Sequence, residues 1–474
     1  MLEVPESEIL ARLHEENPWW QVGRGIHPDL VHLPRRAYLN DFCRLVREKD
    51  PHRAVVLMGP RRVGKTYLVM HTIHELMERH GVSGRDILYV MLETPIYNRQ
   101  GLDALVARFR KLFERPAGQT LHVFFDEVQY LKEWEVHLKT LVDRHRDIRF
   151  VATGSSAVAL KTRSAESGAG RFTEYMLPPL TFAEYLRFIG REEALITAHG
   201  DGPAPRYRTT DIVGLNRAFI DYMNHGGYPE AVFSARLQQD PQRYIKNDII
   251  DKVLLRDLPT LYGIADIQEL NSLFNTLAYH TSREVSMEEL SKTSNVAKNT
   301  LAKYLEYLEA AFLIRQMRRV DEDVTHFKRK TTFKVFLTNP TMRAALFNPL
   351  REGDPALGQQ VETAIHSQWI HNRDFIDSLH YARWKSGEVD FVSLDRAGRK
   401  ARFAVEVKWS DAAWDDPRQI KGLLAFCKKH RLERRPLVTT LTREGVRTLE
   451  GVDVEFTPSS LHCYTVGRNS LDRR

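Results

Sequence analysis

Residues 59–66 read Gly59-Pro60-Arg61-Arg62-Val63-Gly64-Lys65-Thr66, a full G-x-x-x-x-G-K-[ST] loop. The spacing has a chemical reason. Glycines let backbone N–H groups close around phosphates, and Gly64 opens a helix whose N-terminal dipole faces negative charge. In such a loop the backbone from Gly59 to Gly64 (with Pro60, Arg61, Arg62 and Val63) cradles the phosphates. Lys65 reaches the β- and γ-phosphates, and the Thr66 hydroxyl ligates Mg²⁺. The flanks agree: AVVLM (54–58) is an apolar run of strand length, and YLVMHTIHELMERH (67–80) has the period of an amphipathic helix. ATP and Mg²⁺ are the expected cofactors.

Working outward, LHVFF (121–125) is a second apolar run and ends in Asp126-Glu127. Asp126 is expected to hold Mg²⁺ through water, and Glu127 to polarise the attacking water. The plainer alternative is two exposed acids capping the next helix. ILYVML (87–92) lies between the two motifs, as in the ATPase class with an additional strand. IRFVAT (148–153) runs into Thr153-Gly154-Ser155-Ser156. There Thr153 and Ser155 are candidates for sensing the γ-phosphate or holding the water, against a plain turn. A short run, TEYML (173–177), follows. Arg171 reads either as an arginine finger reaching a neighbouring subunit of a homo-oligomer or as a salt-bridged surface arginine. Strand runs alternating with amphipathic stretches predict an α/β fold with a parallel sheet.

The chain has 474 residues, too many for one core. Its punctuation suggests an arm (1–45), an ATPase domain (46–195), a helical and winged-helix domain (211–350) and a further α/β domain (351–474). HGDGPAPRYRTT (199–210) reads as a linker or exposed loop, and REGDPALG (351–358) as the second break. Cys43, Cys427 and Cys463 are too few and scattered for a disulfide framework or a cysteine zinc site. The beginning, MLEVPESEIL, is acidic and lacks a long apolar stretch, so no signal peptide is expected there. Runs such as ILYVML fall far short of the ~20 residues of a membrane span. A cytoplasmic setting is expected. The net charge of +7 permits nucleic-acid binding without requiring it.

The motifs GPRRVGKT, FFDEVQ, VATGSSA, GRFTEYMLPPLTFAEY, HGGYPEAV, VFLTNP, GEVDFV and VEVK together resemble the prokaryotic AAA-type ATPases with a C-terminal domain of unknown function. The likeness covers most of residues 50–410. It implies an AAA-like P-loop sheet, then a winged helix, then a restriction-endonuclease-like domain. Asn339-Pro340 departs from the family, which often has Asp and a small residue there.

The middle block carries a DNA-binding candidate. In VSMEELSKTSNVAKNTLAKYLEYLEAAFLI (285–314), Ser286 and Glu289 form a capping box, Asn295-Val296 the turn, and Leu301, Leu305 and Leu308 an inner face. Lys298, Asn299, Thr300 and Lys303 would face a major groove. A basic hairpin follows, with Arg315, Arg318 and Arg319 on one arm and Lys328, Arg329, Lys330 and Lys334 on the other. Asp321, Glu322 and Asp323 at its tip weaken the attraction for phosphate. The alternative is a winged helix used for packing or protein contact.

The last block holds a nuclease-like set: Glu362 on an apolar helix, Asp390 in Gly-Glu-Val-Asp, and Glu406 with Lys408 two apart on one strand face. Glu362, Asp390 and Glu406 would hold a Mg²⁺ that generates hydroxide, while Lys408 orients the water. Such a fold can also persist with a retired site. His366 and His371 read as helix-surface residues, and Trp384 and Trp409 as core.

Overall fold

The computed structural model describes residues 5–97, 100–116, 118–154, 170–199, 206–240, 242–324 and 332–472. They form two compact units, Met1–Pro178 and Pro179–Arg474.

In the first unit every predicted strand run forms a strand: β1 (Ala54–Met58), β2 (Ile87–Met91), β3 (Leu121–Asp126), β4 (Ile148–Gly154) and β5 (Phe172–Met176). All pair in parallel, in the order β2-β3-β4-β1-β5. Every residue of β1, β3 and β4 is buried. A parallel sheet covered on both faces explains why these runs are continuously apolar instead of alternating. With β4 between β1 and β3, the loop after β1 and the acidic end of β3 meet at the carboxyl edge of the sheet, where such folds bind ligands.

The N-terminal segment packs onto this sheet. Helix α1 (Glu6–Glu16) ends at buried Asn17. The Asn17 amide donates to the Tyr89 carbonyl at 2.8 Å and accepts the Tyr89 N–H at 2.7 Å. Glu16 accepts the Met91 N–H, and the Trp19 and Trp20 indoles donate to the Ile87 carbonyl. These groups satisfy the outer edge of β2, which would otherwise present unpaired backbone groups. Helix α2 (Lys65–Glu78) follows the phosphate loop.

In the second unit, β6 (Ile196–His199) and β7 (Arg206–Thr209) pair antiparallel, so part of the expected linker is strand. A helix-turn-helix follows β8 (Glu284–Ser286), as predicted: α3 (Met287–Ser294), a turn at Asn295 with φ 56°, and α4 (Lys298–Ala310). Ser286 caps α3 by accepting the Glu289 N–H at 3.0 Å. The hairpin β9 (Ile314–Val320) and β10 (Thr332–Leu337) leads to α5 (Leu357–Trp369). Then come β11 (Leu379–Trp384), β12 (Gly387–Leu394), β13 (Ala401–Glu406), β14 (Leu437–Thr440), β15 (Gly445–Leu449), β16 (Val452–Pro458) and α6 (Ser459–Asp472).

One sheet runs β15-β16-β14-β13-β12-β11-β9-β10-β8. The parallel pairing of β9 with β11 closes the gap between the β9–β10 hairpin and the C-terminal strands. The break expected at residue 351 therefore interrupts the chain but not the sheet. Two motifs of the family resemblance also meet here. A Cβ on Gly227 would lie 2.2 Å from the Asn339 side chain, and Asn339 accepts the Thr341 N–H at 2.9 Å. HGGYPEAV and VFLTNP thus build a packing joint. Among the described residues no helix is long and apolar enough to cross a membrane.

Candidate functional site

The phosphate loop joins β1 to α2, as its spacing requires. Gly64 has φ +91°, a left-handed conformation that costs an L-residue roughly 1–2 kcal/mol. Gly59 is needed for a different reason: a Cβ there would lie 2.3 Å from the Leu177 carbonyl oxygen. Buried Lys65 donates from Nζ to the carbonyls of Gly59 at 3.2 Å and Pro60 at 3.0 Å. Buried Arg36 braces the loop from behind, donating to the Val63 carbonyl at 2.7 Å and the Pro178 carbonyl at 3.0 Å. Sequence reading missed Arg36, which sits in PRRAY outside any motif.

Asp126 ends β3 and is fully buried. That removes the alternative of an exposed helix cap. Its Oδ2 accepts from Thr66 Oγ1 at 2.8 Å and from the Tyr89 hydroxyl at 2.7 Å, and its Oδ1 accepts from Thr153 Oγ1. Burial, then the neighbouring Glu127, pushes the Asp126 carboxyl up, while the three hydroxyl donors oppose this. Tyr89 is the second residue the sequence did not reveal. ILYVML reads only as strand, and nothing in it says which side chain reaches the acid.

Glu127 has φ 57° and ψ 51°. This left-handed backbone, uncommon for a non-glycine residue, directs the chain out of β3. Its N–H donates to Thr153 Oγ1 at 3.1 Å, and its carboxylate accepts from Gln129. Thr66, Asp126, Glu127 and Thr153 are therefore linked at one sheet edge, with Lys65 beside Thr66 in the loop. Ser155 lies outside the described residues. Arg171 pairs with Asp143 at 2.8 Å, both partners more than 40% exposed. As a donor set, the Thr66 hydroxyl beside a carboxylate suits a hard cation such as Mg²⁺.

The C-terminal set is also brought together, with an addition. Lys334 Nζ lies 3.0 Å from Glu362 Oε1, 3.0 Å from Glu388 Oε1 and 3.3 Å from Asp390 Oδ1. Lys408 pairs with Glu406 at 2.7 Å, and Asp390 Oδ2 accepts the Val407 N–H at 2.9 Å. Lys334, expected on the wing facing phosphate, is 3% exposed. The correction is physical: β10 lies inside the sheet, between β9 and β8, and Lys334 is drawn to the acids. Burial pulls its ammonium down, but the carboxylates together hold it well above its ordinary value. Burial raises the Glu362 and Glu406 carboxyls. Among the described residues no three His, Cys, Asp or Glu side chains are arranged to hold a metal ion. Where Mg²⁺ is expected, Glu362 and Asp390 face the Lys334 ammonium, and Glu406 faces Lys408.

Other basic residues of the wing are also engaged. Arg315 pairs with Glu309 and Asp377, and Arg319 with Glu284 and the Arg383 carbonyl. Glu322 and Asp323 pair with Lys429. Arg318 is exposed, and Lys328, Arg329 and Lys330 lie outside the described residues. On α4, Lys298, Asn299 and Lys303 are exposed and Thr300 is partly so. His366 and His371, expected on a helix surface, are buried at 1% and 4% exposure; α5 is covered on nearly all sides at His366, and His371 lies just past its end.

Sequence comparison finds relatives without an assigned role. An uncharacterized protein of Haemophilus influenzae is 26% identical over 402 residues, covering 81% of this chain and 88% of the relative. An uncharacterized protein of Methanocaldococcus jannaschii is 24% identical over 351 residues, 72% of each chain. Among solved structures, Aeropyrum pernix ORC1 in complex with DNA overlaps 66% of this chain and 92% of its own, at 16% identity and a TM-score of 0.32. That structural overlap is too loose to carry an argument. Residues 51–186 match the model of an AAA domain, and residues 216–352 match a domain of unknown function, DUF8612. The stretch that matches the AAA domain spans the five-stranded parallel sheet and its phosphate loop.

Proposed function

We propose that this protein binds and hydrolyses ATP with Mg²⁺ at the carboxyl edge of its first sheet, and that its second unit contacts DNA through α4. The observation that carries the first part is the buried hydrogen-bonded cluster of Thr66, Asp126 and Thr153 beside Lys65. Lys65 exchanges the loop carbonyls for the β- and γ-phosphates. Thr66 and Asp126 hold the metal side of the triphosphate, and Glu127 orients and deprotonates the attacking water. Thr153 fixes the Glu127 backbone through their hydrogen bond. Mg²⁺, when bound, neutralises charge that builds on the phosphates. Arg171 is kept as a finger toward a second copy only if its pair with Asp143 opens; exposed pairs of this kind are worth at most ~1 kcal/mol.

Support for DNA contact is the helix-turn-helix with Lys298, Asn299 and Lys303 exposed on its second helix. Of the two C-terminal readings, binding without cleavage is favoured over phosphodiester hydrolysis by one observation: the Lys334 ammonium among the acids.

Lys65→Ala should weaken ATP binding by roughly tenfold or more, the loss of a charge-assisted phosphate contact. Glu127→Gln should leave binding intact and slow hydrolysis by about 10²-fold, the range of a general base. Normal turnover in both variants would remove the assignment. Lys298→Ala with Lys303→Ala should weaken duplex binding and flatten its salt dependence.

A further inference from the structure

Four carboxylates converge on one place in the second sheet: Glu362 from α5, Glu388 and Asp390 from β12, and Glu406 from the end of β13. Several acids in low dielectric repel one another and lose hydration, so they stay ionised only if cations neutralise them. A divalent ion is one solution. Here two lysines serve instead, Lys408 on Glu406 and Lys334 among the other three, with Arg383 also 3.7 Å from the partly exposed Glu388. Lys334 is the better placed of the two. Its ammonium lies within 3.3 Å of all three acids, is almost wholly buried, and stands 5.4 Å from the centroid of the Tyr381 ring. One group remains unsatisfied: Glu406 Oε2, in a buried side chain, has no hydrogen-bond partner among the described residues. That oxygen, in a carboxylate whose charge interacts with Asp390, is the kind of group a metal ion would engage once the ammonium is gone.

We propose that Lys334 is the resident cation of this carboxylate cluster, standing where a divalent ion would otherwise sit and keeping such ions out. The residue comes from β10, the strand contributed by the winged-helix hairpin, and its acids from the C-terminal strands and α5. The cluster is therefore neutralised only because the two parts share one sheet. The inference rests on this geometry and is independent of ATP hydrolysis and of DNA contact.

The test is Mn²⁺ titration of the nucleotide-free full chain by calorimetry, with melting followed in parallel. Wild type and Asp390→Asn should give the same isotherm, since neither takes Mn²⁺ at this place. Lys334→Ala should gain one site per chain, about tenfold tighter than any site in wild type, because removing the ammonium leaves the acids to the ion. The gain should vanish in Lys334→Ala with Asp390→Asn. Mn²⁺ should also raise the melting temperature of Lys334→Ala and not that of wild type, since a ligand stabilises the state it binds. Lys334→Met, which keeps volume without charge, repeats the measurement if the alanine variant does not fold. A folded variant with no gained site overturns the proposal. So does a wild-type isotherm that Asp390→Asn diminishes, and this comparison decides alone if both Lys334 variants are unfolded.

Discussion

The Tyr89 hydroxyl donates a 2.7 Å hydrogen bond to Asp126 Oδ2, the same oxygen that accepts from Thr66. Tyr89 sits on β2, and its own backbone N–H and carbonyl are both held by the Asn17 side chain. A path of direct bonds therefore leads from the N-terminal segment to the acid that closes the metal side of the nucleotide site. Tyr89→Phe removes one donor from a buried carboxylate. A hydrogen bond to a charged group is worth roughly 1.5–3 kcal/mol. We expect ATPase activity to persist, with the Mg²⁺ concentration for half-maximal rate raised several-fold. A Mg²⁺ titration of the rate checks this, and an unchanged midpoint would show that Tyr89 does not hold Asp126.

Asn17 should matter more to stability than its place outside any motif suggests. Asn17→Ala strips partners from the N–H and carbonyl of Tyr89, and each unsatisfied buried group costs about 1–3 kcal/mol. The first unit should melt at lower temperature, and the Tyr89 amide should exchange with deuterium faster than in wild type. Asn17→Asp keeps the acceptor but sets a buried carboxylate against the Leu13 and Tyr89 carbonyls, so at neutral pH it should destabilise at least as much as alanine. An alanine variant as stable as wild type would mean the edge of β2 is satisfied some other way.

Much of this is legible in the residues alone, and the failures share a cause. All five strands of the first sheet, the phosphate loop and the helix-turn-helix follow from apolar runs and local spacing. What local spacing does not carry is pairing between segments distant in sequence. Nothing local says that Tyr89 reaches Asp126, that Arg36 braces Val63, or that Lys334 belongs to an acid cluster on other strands. Lys334 misleads because a basic residue on a hairpin looks solvated until its strand is known to lie inside a sheet. His366 misleads similarly, its helix being buried on the polar side too.

Buried histidines set a pH dependence with a definite sign. Burial, then the charge of Arg315, pushes the His366 imidazolium down to about 3, and burial alone holds His462 down to about 4. A depressed folded value means the unfolded chain binds the proton more readily. Stability contributed by each neutral ring is thus fully present above ~6.5, the ordinary histidine value, and is lost as pH falls from there toward 3–4. His366 stacks on Phe336 with ring centroids 4.1 Å apart, so leucine should keep most of the packing. His366→Leu should flatten the fall in denaturant stability of the second unit between pH 6.5 and 4 relative to wild type. Parallel pH profiles for the two proteins would show that His366 is not neutral in the fold.

Gly59 offers a check on the architecture that surrounds the nucleotide loop. The Leu177 N–H donates to the Met58 carbonyl at 2.7 Å, so the chain leaving β5 continues alongside the end of β1. That bond draws the Leu177 carbonyl to within 2.3 Å of where a Cβ on Gly59 would lie, with Val63 Cγ2 at 3.2 Å on another side. Both the obstructing oxygen and Gly59 belong to backbone, so no side-chain rotation relieves the clash. Gly59→Ala must either separate β1 from the end of β5 or displace the phosphate loop. Overpacking of this kind costs typically 1–3 kcal/mol. The expected result is a lower melting temperature of the first unit together with weaker ATP binding, since one displacement causes both. Gly64→Ala, which meets strain from its φ of +91°, should also destabilise. If Gly59→Ala matches wild type in melting and in ATP affinity, the close approach of Leu177 to the loop is not a feature of the protein in solution.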